Sequence, residues 1–306
     1  MPPPLPLSGR MRVLVVGADG EIGRALAAHL SAVGAAAVGT TRRTGVARAG
    51  RLFLDLAADP GDWPALPAAD AAVICAAVAR VADCERDPDG ARRVNVDGPL
   101  ALVRRLPPGC HTLFLSTNHV LDGSAPRQRA DAPYCPASAY GAQKAMAERE
   151  LLALGSRGGG LAVLRLAKVL TPSDPLFLDW AAALAVGRPA APFADIVNAP
   201  APLSFVCGLI ERLLAARASG LFQASGDCDL AYAEMALLLA EALGRDPGLV
   251  RPVDARRPGS RFLDYPRYAS LDMSRVAETL GIAPPSSVAT VRDVCRAVAA
   301  AVRSRG

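Results

Sequence analysis

Met11-Arg-Val-Leu-Val-Val-Gly17-Ala-Asp-Gly20-Glu-Ile-Gly23 decides the fold of this chain. Residues 11–16 form an apolar run of the length of a buried strand, and an Ala/Leu-rich stretch with helical spacing follows to about residue 33. Three glycines at intervals of three thus stand at a strand–turn–helix junction. Gly17 permits a tight turn, Gly20 lets the backbone approach a pyrophosphate, and Gly23 lets helix and strand pack closely. The helix start presents free N–H groups and a partial positive charge to the same anion. In a chain with 27 glycines the triplet alone is a weak signal. In this context it predicts a dinucleotide-binding loop that also includes Asp19, Glu21 and Ile22. An ordinary Gly-rich turn is the competing interpretation.

Working outward, short apolar strands are expected at residues 36–39, 51–54, 71–75, 111–115 and 161–166, with helices over 86–106 and 140–154. Strands alternating with helices imply a parallel sheet covered on both faces, an α/β fold with a Rossmann-type doubly wound sheet. After about residue 170 Pro and Gly become frequent and helices recur at 204–216, 231–243, 273–280 and 288–302. The expected organisation is a Pro-rich leader (1–10), a nucleotide-binding domain (11–170) and a smaller C-terminal substrate-binding domain (171–306). Some segments of the last are expected to return to the Rossmann core. The leader lacks a basic region followed by an apolar one, so it does not read as a signal peptide. No apolar run reaches the ~18 residues of a membrane span.

Half of the residues (51%) are apolar, ample for a large core. Net charge is +5, but the arginines are scattered among acids and no basic run is interleaved with aromatics. Nucleic acid is therefore not an expected partner. The seven cysteines show no C-x-x-C and no zinc spacing, and their odd number points to reduced thiols and a cytoplasmic location. No His/Asp/Glu cluster has ligand spacing, so no metal is expected.

The end of the second predicted strand reads Thr40-Thr41-Arg42-Arg43. An acid there would grip the ribose 2′-hydroxyl of NAD, whereas guanidiniums pair with a 2′-phosphate. NADP(H) is favoured over NAD(H), against the alternative that both arginines are solvated loop charges. Asp55, before Leu56, stands where an acid can accept from the adenine amino group, or it caps a helix or loop. Cys75-Ala76-Ala77 ends the fourth strand with small residues that leave room for a cofactor.

All but two of the 34 Lys+Arg residues are arginine, and the exceptions are Lys144 and Lys168. An arginine-rich composition explains scarce lysine, yet Lys144 follows Tyr140 by four residues, one helical face. Arginine does not easily replace a compact ammonium beside a phenol. The fifth strand ends in Phe114-Leu115-Ser116-Thr117-Asn118-His119-Val120-Leu121-Asp122-Gly123, bringing a hydroxyl to the crevice where such sheets bind ligands.

Together these residues resemble the extended short-chain dehydrogenase/reductase family, and within it the dTDP-4-dehydrorhamnose reductase group. Ser116-Thr117, Val120 and Asp122-Gly123 resemble that group's Ser-Thr-Asp-Tyr-Val-Phe-Asp-Gly segment; Val94-Asn95-Val96 and Val163-Leu164-Arg165 also fit. The resemblance is specific from about residue 11 to 170. It implies an NADP(H)-dependent reductase of a keto group on a nucleotide-linked deoxysugar. Tyr140 would be the general acid, Lys144 would lower its pKa and hold the nicotinamide ribose, and Thr117 would orient the carbonyl oxygen. Asn95 would support the cofactor side through an ordered water or a backbone contact. Extended members often pair through helices flanking the sheet, so a homodimer is among the expectations.

The chain departs from the group where Asp-Tyr becomes Asn118-His119 and where Arg-Thr-Ser-Trp becomes Arg165-Leu166-Ala167-Lys168. Asn118, His119 and Lys168 are thus expected on the substrate side. His119 reshapes the pocket or is a packed histidine; Lys168 meets a substrate phosphate or carboxylate, or snorkels at a strand end. The comparable stretch near the C-terminus is Tyr265-Pro266-Arg267-Tyr268, without the group's Arg-Pro. Two other functions share the Tyr/Lys pair: a nucleotide-sugar epimerase that recycles its cofactor, and an NADP-binding regulatory subunit without turnover.

Overall fold

The computed structural model describes residues 11–45, 50–155, 160–256 and 265–304; the expected leader, residues 1–10, lies outside them. In chain order come β1 (Arg12–Val16), α1 (Glu21–Ala32), β2 (Ala36–Thr41), β3 (Arg51–Phe53), β4 (Ala71–Ile74), α2 (Val81–Arg86), α3 (Pro88–Arg92), α4 (Gly98–Arg105), β5 (His111–Thr117), α5 (Ala139–Gly155) and β6 (Leu161–Leu166). Then follow β7 (Val169–Leu170), α6 (Pro175–Ala185), β8 (Val197–Asn198), β9 (Ala201–Pro202), α7 (Leu203–Ala215), β10 (Gly220–Ala224), β11 (Leu230–Ala231), α8 (Tyr232–Leu243), α9 (Ser274–Leu280) and α10 (Ser287–Arg303).

Seven strands form one parallel sheet in the order β10-β6-β5-β4-β1-β2-β3. β2 lies on one side of β1 and β4 on the other, so the strand order reverses there. The crevice at the carboxyl ends of such a pair is the ligand site of doubly wound sheets. Successive side chains point to opposite faces. Val13 and Val15 of β1 pack with Leu26 and Leu30 of α1 and Leu209 and Leu213 of α7. Leu14 and Val16 pack on the other face with Leu102 of α4 and Leu151 of α5. Burial on both faces is why these strands read as continuous apolar runs. A separate core joins α6, α8 and α10 through Phe177, Trp180, Met235, Leu239 and Val298.

Two differences from the sequence expectation have physical causes. The helix expected over 86–106 is broken. Pro88 starts a new helix capped by Asp87, whose carboxylate accepts from the Gly90 amide at 2.9 Å, and a π turn spans Arg93–Asp97 before Gly98-Pro99. Helix α6 was not expected, although Pro175 stands in its first turn and the Asp174 carboxylate accepts from the Leu176 amide at 3.1 Å. Strand β10, well past residue 170, pairs with β6 and supplies the seventh strand.

Candidate active site

The glycine turn is set by close approach. Gly17 has φ +87°, and a Cβ there would lie 2.7 Å from the Ala76 backbone; a Cβ on Gly23 would lie 2.3 Å from the Gly17 carbonyl oxygen. The Gly17 amide donates to Thr40 Oγ1 at 3.0 Å, joining the turn to β2. Gly20 caps α1 without any side-chain bond, which leaves the first-turn amides as free donors. The result is a cradle of backbone N–H groups that side chains would fill, and its donor set fits a pyrophosphate.

Two cavities flank this turn. The larger, about 700 Å³, is lined by Gly20, Glu21, Ile22, Gly23 and the catalytic candidates. The smaller, about 330 Å³, is lined by Gly17, Asp19, Thr41, Arg42, Arg43, Asp55, Leu56 and Ala76. Gly20, Cys75 and Ala77 border both, so the two form one groove across the ends of β1 and β4. Asp55 is on the groove and also caps its own turn, accepting from the Ala57 amide at 3.0 Å.

The end of β2, where the sequence itself reads Thr40-Thr41-Arg42-Arg43, also holds a carboxylate. Asp19 reaches there from the glycine turn. Its carboxylate accepts from the Thr41 hydroxyl at 2.6 Å, pairs with Arg51 of β3, and lies 3.9 Å from Arg43 Nε. The Thr41 hydroxyl first, then Arg51 and Arg43, hold its carboxyl below the usual range against the opposing cost of burial.

Thr117, Tyr140 and Lys144 meet in the larger cavity. Burial pushes the Tyr140 phenol up to about 12; the Thr117 hydroxyl, hydrogen-bonded to it, pulls the other way. Lys144 is 2% exposed, donates from Nζ to the Leu115 carbonyl at 2.6 Å, and lies 3.8 Å from the Phe114 ring centroid. Burial lowers it to about 7, against the opposing charge of Glu148. The sequence expectation that Lys144 lowers the phenol is thus not met in this arrangement. Desolvation wins, and Tyr140 is a neutral acid at neutral pH.

Helix α5 is seated by three contacts. Tyr140, Lys144 and Glu148 recur every fourth residue, on one face. Glu148 and Arg165 of β6 form an ion pair at 2.8 Å with both side chains fully enclosed. Gly141 packs so tightly that a Cβ would come within 2.2 Å of the His119 carbonyl oxygen. Ser138 Oγ accepts from the Gly141 amide at 3.2 Å at the helix start.

Asn95 lies in the π turn with no exposure, away from both cavities. Its Oδ1 accepts from the Val78 amide at 2.8 Å, and its Nδ2 donates to the Val78 carbonyl at 3.0 Å and to Gln143 Oε1 at 2.8 Å. The expected cofactor contact is therefore replaced by a buried tie between α5 and the Val78 segment.

On the far wall, His119 stands edge-on between Tyr140 (centroids 6.1 Å apart) and Tyr265 (5.4 Å). Burial lowers its imidazole to about 4, so it is neutral at neutral pH. Asn118 lines the cavity, and its Oδ1 accepts from Thr117 Oγ1 at 3.4 Å. Lys168 also lines it, with Nζ 2.5 Å from Asp174 Oδ2. Sequence reasoning missed the apolar side of this wall, Phe193, Ile196, Val197 and Tyr232, and the anchoring roles of Glu148, Gln143 and Arg51. A charged residue inside the apolar run 161–166 was the available signal for a buried partner to Arg165.

All seven cysteines are free thiols. Among the described residues no group of three or more His, Cys, Asp or Glu side chains could hold a metal ion. Among them, too, no helix is long and apolar enough to cross a membrane.

A family model described as RmlD substrate binding domain matches residues 11–300. A dTDP-4-dehydrorhamnose reductase from Streptomyces griseus is 30% identical over 281 residues, 87% of this chain and 87% of the relative. The methionine adenosyltransferase 2 subunit beta of Bos taurus is 28% identical over 228 residues, 69% of this chain and 64% of that protein. Among solved structures, a dTDP-4-dehydrorhamnose reductase from Bacillus anthracis str. Ames in complex with NADP superposes with a TM-score of 0.75 at 18% identity, covering 93% of this chain and 97% of the other.

Proposed function

The chain belongs to the RmlD substrate binding domain family, and from that membership and the geometry of the groove we propose that it is an NADPH-dependent reductase of a keto group on a nucleotide-linked deoxysugar. The observation that carries this is the meeting of Thr117, Tyr140 and Lys144 in a cavity continuous with the glycine cradle. The relatives named as dTDP-4-dehydrorhamnose reductases support the substrate class.

NADPH, when bound, supplies the hydride for the carbonyl carbon. The first-turn amides of α1 hold its pyrophosphate, and Arg42 and Arg43 are the residues placed to meet a 2′-phosphate. Tyr140 gives its proton to the carbonyl oxygen, a transfer worth about 10²–10⁴-fold when the acid is well placed. Thr117 donates to the same oxygen and then to the phenolate left behind. Lys144, one helical turn further along the same face, is the donor placed to hold the nicotinamide ribose. His119 and Tyr265 form an aromatic wall beside Tyr140, and Lys168 and Asn118 offer donors to the sugar or its phosphate.

The experiment is consumption of NADPH with a panel of 4-keto-6-deoxysugar nucleotides. Net oxidation of NADPH with formation of a sugar alcohol is expected. Isomerised sugar with unchanged cofactor would point to an epimerase instead. The likeness to a methionine adenosyltransferase subunit favours one further interpretation, cofactor binding without turnover; absence of any reaction across the panel while NADPH binds would select it.

A further inference from the structure

The end of β2 carries both devices by which such sheets read the adenosine ribose. An acid there takes the 2′-hydroxyl of NAD, and arginines take the 2′-phosphate of NADP. In most chains the two alternatives exclude each other by sequence position. Here the arginines come from the end of β2 and from β3, and the acid comes from the glycine turn. Asp19 lines the smaller cavity with Arg42 and Arg43, and its side chain is only 24% exposed.

The carboxylate is held from several sides. Thr41 Oγ1 donates to Oδ2 at 2.6 Å, Arg51 Nη1 pairs with Oδ1, and Arg43 Nε is 3.9 Å from Oδ2. The Arg43 amide donates to the same Thr41 hydroxyl at 3.1 Å, tying the arginine's backbone to the cluster. A 2′-phosphate entering this cluster must share Arg43 with a carboxylate already there, and it meets that carboxylate's negative charge. A 2′-hydroxyl instead finds an acceptor.

We infer that Asp19 sets the cofactor selectivity of this chain, competing with the 2′-phosphate for Arg43 and restraining the preference for NADPH, while Arg51 restrains Asp19 from serving the 2′-hydroxyl of NADH. The inference rests on the dinucleotide role proposed above for the groove. It makes Asp19 a selectivity residue and Arg51 its positioning partner. Both ends of the Asp19–Arg51 pair then pull the NADH-to-NADPH ratio of dissociation constants in opposite directions.

The test is equilibrium titration of NADPH and NADH, read by nucleotide fluorescence, with the full chain, Asp19→Asn and Arg51→Gln, each checked by its melting curve. Asp19→Asn is expected to raise the ratio Kd(NADH)/Kd(NADPH) tenfold or more, about 1.4 kcal/mol. Arg51→Gln is expected to lower the ratio by freeing Asp19. An unchanged or lowered ratio in Asp19→Asn overturns the inference. If that variant does not fold, an unchanged or raised ratio in Arg51→Gln overturns it. Binding of both nucleotides with unaltered ratios defeats only the role of Asp19, whereas no binding of either to the unaltered chain defeats the dinucleotide site as well.

Discussion

Replacing Glu148 by alanine leaves the Arg165 guanidinium enclosed with its charge uncompensated. Both side chains have no exposure, and Glu148 receives three of the guanidinium's contacts, from Nε at 3.2 and 3.0 Å and from Nη2 at 2.8 Å. The Ala130 carbonyl at 3.1 Å, Gln223 Oε1 at 3.3 Å and the Tyr134 side chain remain, all neutral. Breaking a buried pair from one side costs about 3–5 kcal/mol, a large share of the ~5–15 kcal/mol that holds a protein folded. For a chain of 306 residues that loss corresponds to a fall in Tm of roughly 5–8 °C. The double variant Glu148→Ala, Arg165→Met removes both charges, and most of the stability is expected to return. Urea midpoints of the two single variants and the double variant form the cycle that isolates the pair. Turnover should fall with Glu148→Ala as well, since Lys144 lies one helical turn before it on the same face. A loss of only ~1 kcal/mol or less, the worth of an exposed pair, would refute the claim that this ion pair seats the catalytic helix.

Tyr140→Phe is expected to cut turnover by about 10²-fold or more with NADPH affinity nearly unchanged; undiminished turnover removes the phenol from the reaction. Arg42→Ala with Arg43→Ala should weaken NADPH far more than NADH in the same titration, and equal losses would mean that neither arginine meets the 2′-phosphate. Burial lowers both His111 and His119 from 6.5 to about 4, so between those values the unfolded chain binds more protons and stability falls as pH is lowered through that window. His111, whose ring nitrogens are both buried without a hydrogen-bond partner, should account for one of those protons, and His111→Phe should flatten urea midpoints between pH 6.5 and 4; an unaltered pH slope would contradict this.

What could be read from the chain was what lies close together along it. Gly17, Gly20 and Gly23 announce a turn within seven residues, and Tyr140 and Lys144 share a helical face by spacing alone. The strand runs were visible because burial on both faces makes them uniformly apolar. The tie from Asn95 to Gln143 spans 48 residues, and Asp19 meets Arg51 across 32. Those pairings depend on strand order and on how far a side chain reaches, which no local pattern carries. Spacing puts the phenol and the ammonium on one helical face, but the direction of the Tyr140 shift depends on burial that only the packed cavity reveals. Proline explains the misjudged stretch over 86–106: Pro88 and Pro99 favour helix starts, and a continuous helix was assumed across both.

Strand β10 reaches the sheet from beyond the catalytic half and pairs with β6 from Ala162 to Leu166. The two halves are therefore not interchangeable cassettes. Trimming the chain at residue 170 would strip β6 of a neighbour and bare a row of unpaired amides and carbonyls, the template on which chains stick to one another. A hybrid that borrows a foreign C-terminal half must bring along a compatible outer strand, so swapping specificity between relatives is a matter of matching a ladder as much as a pocket.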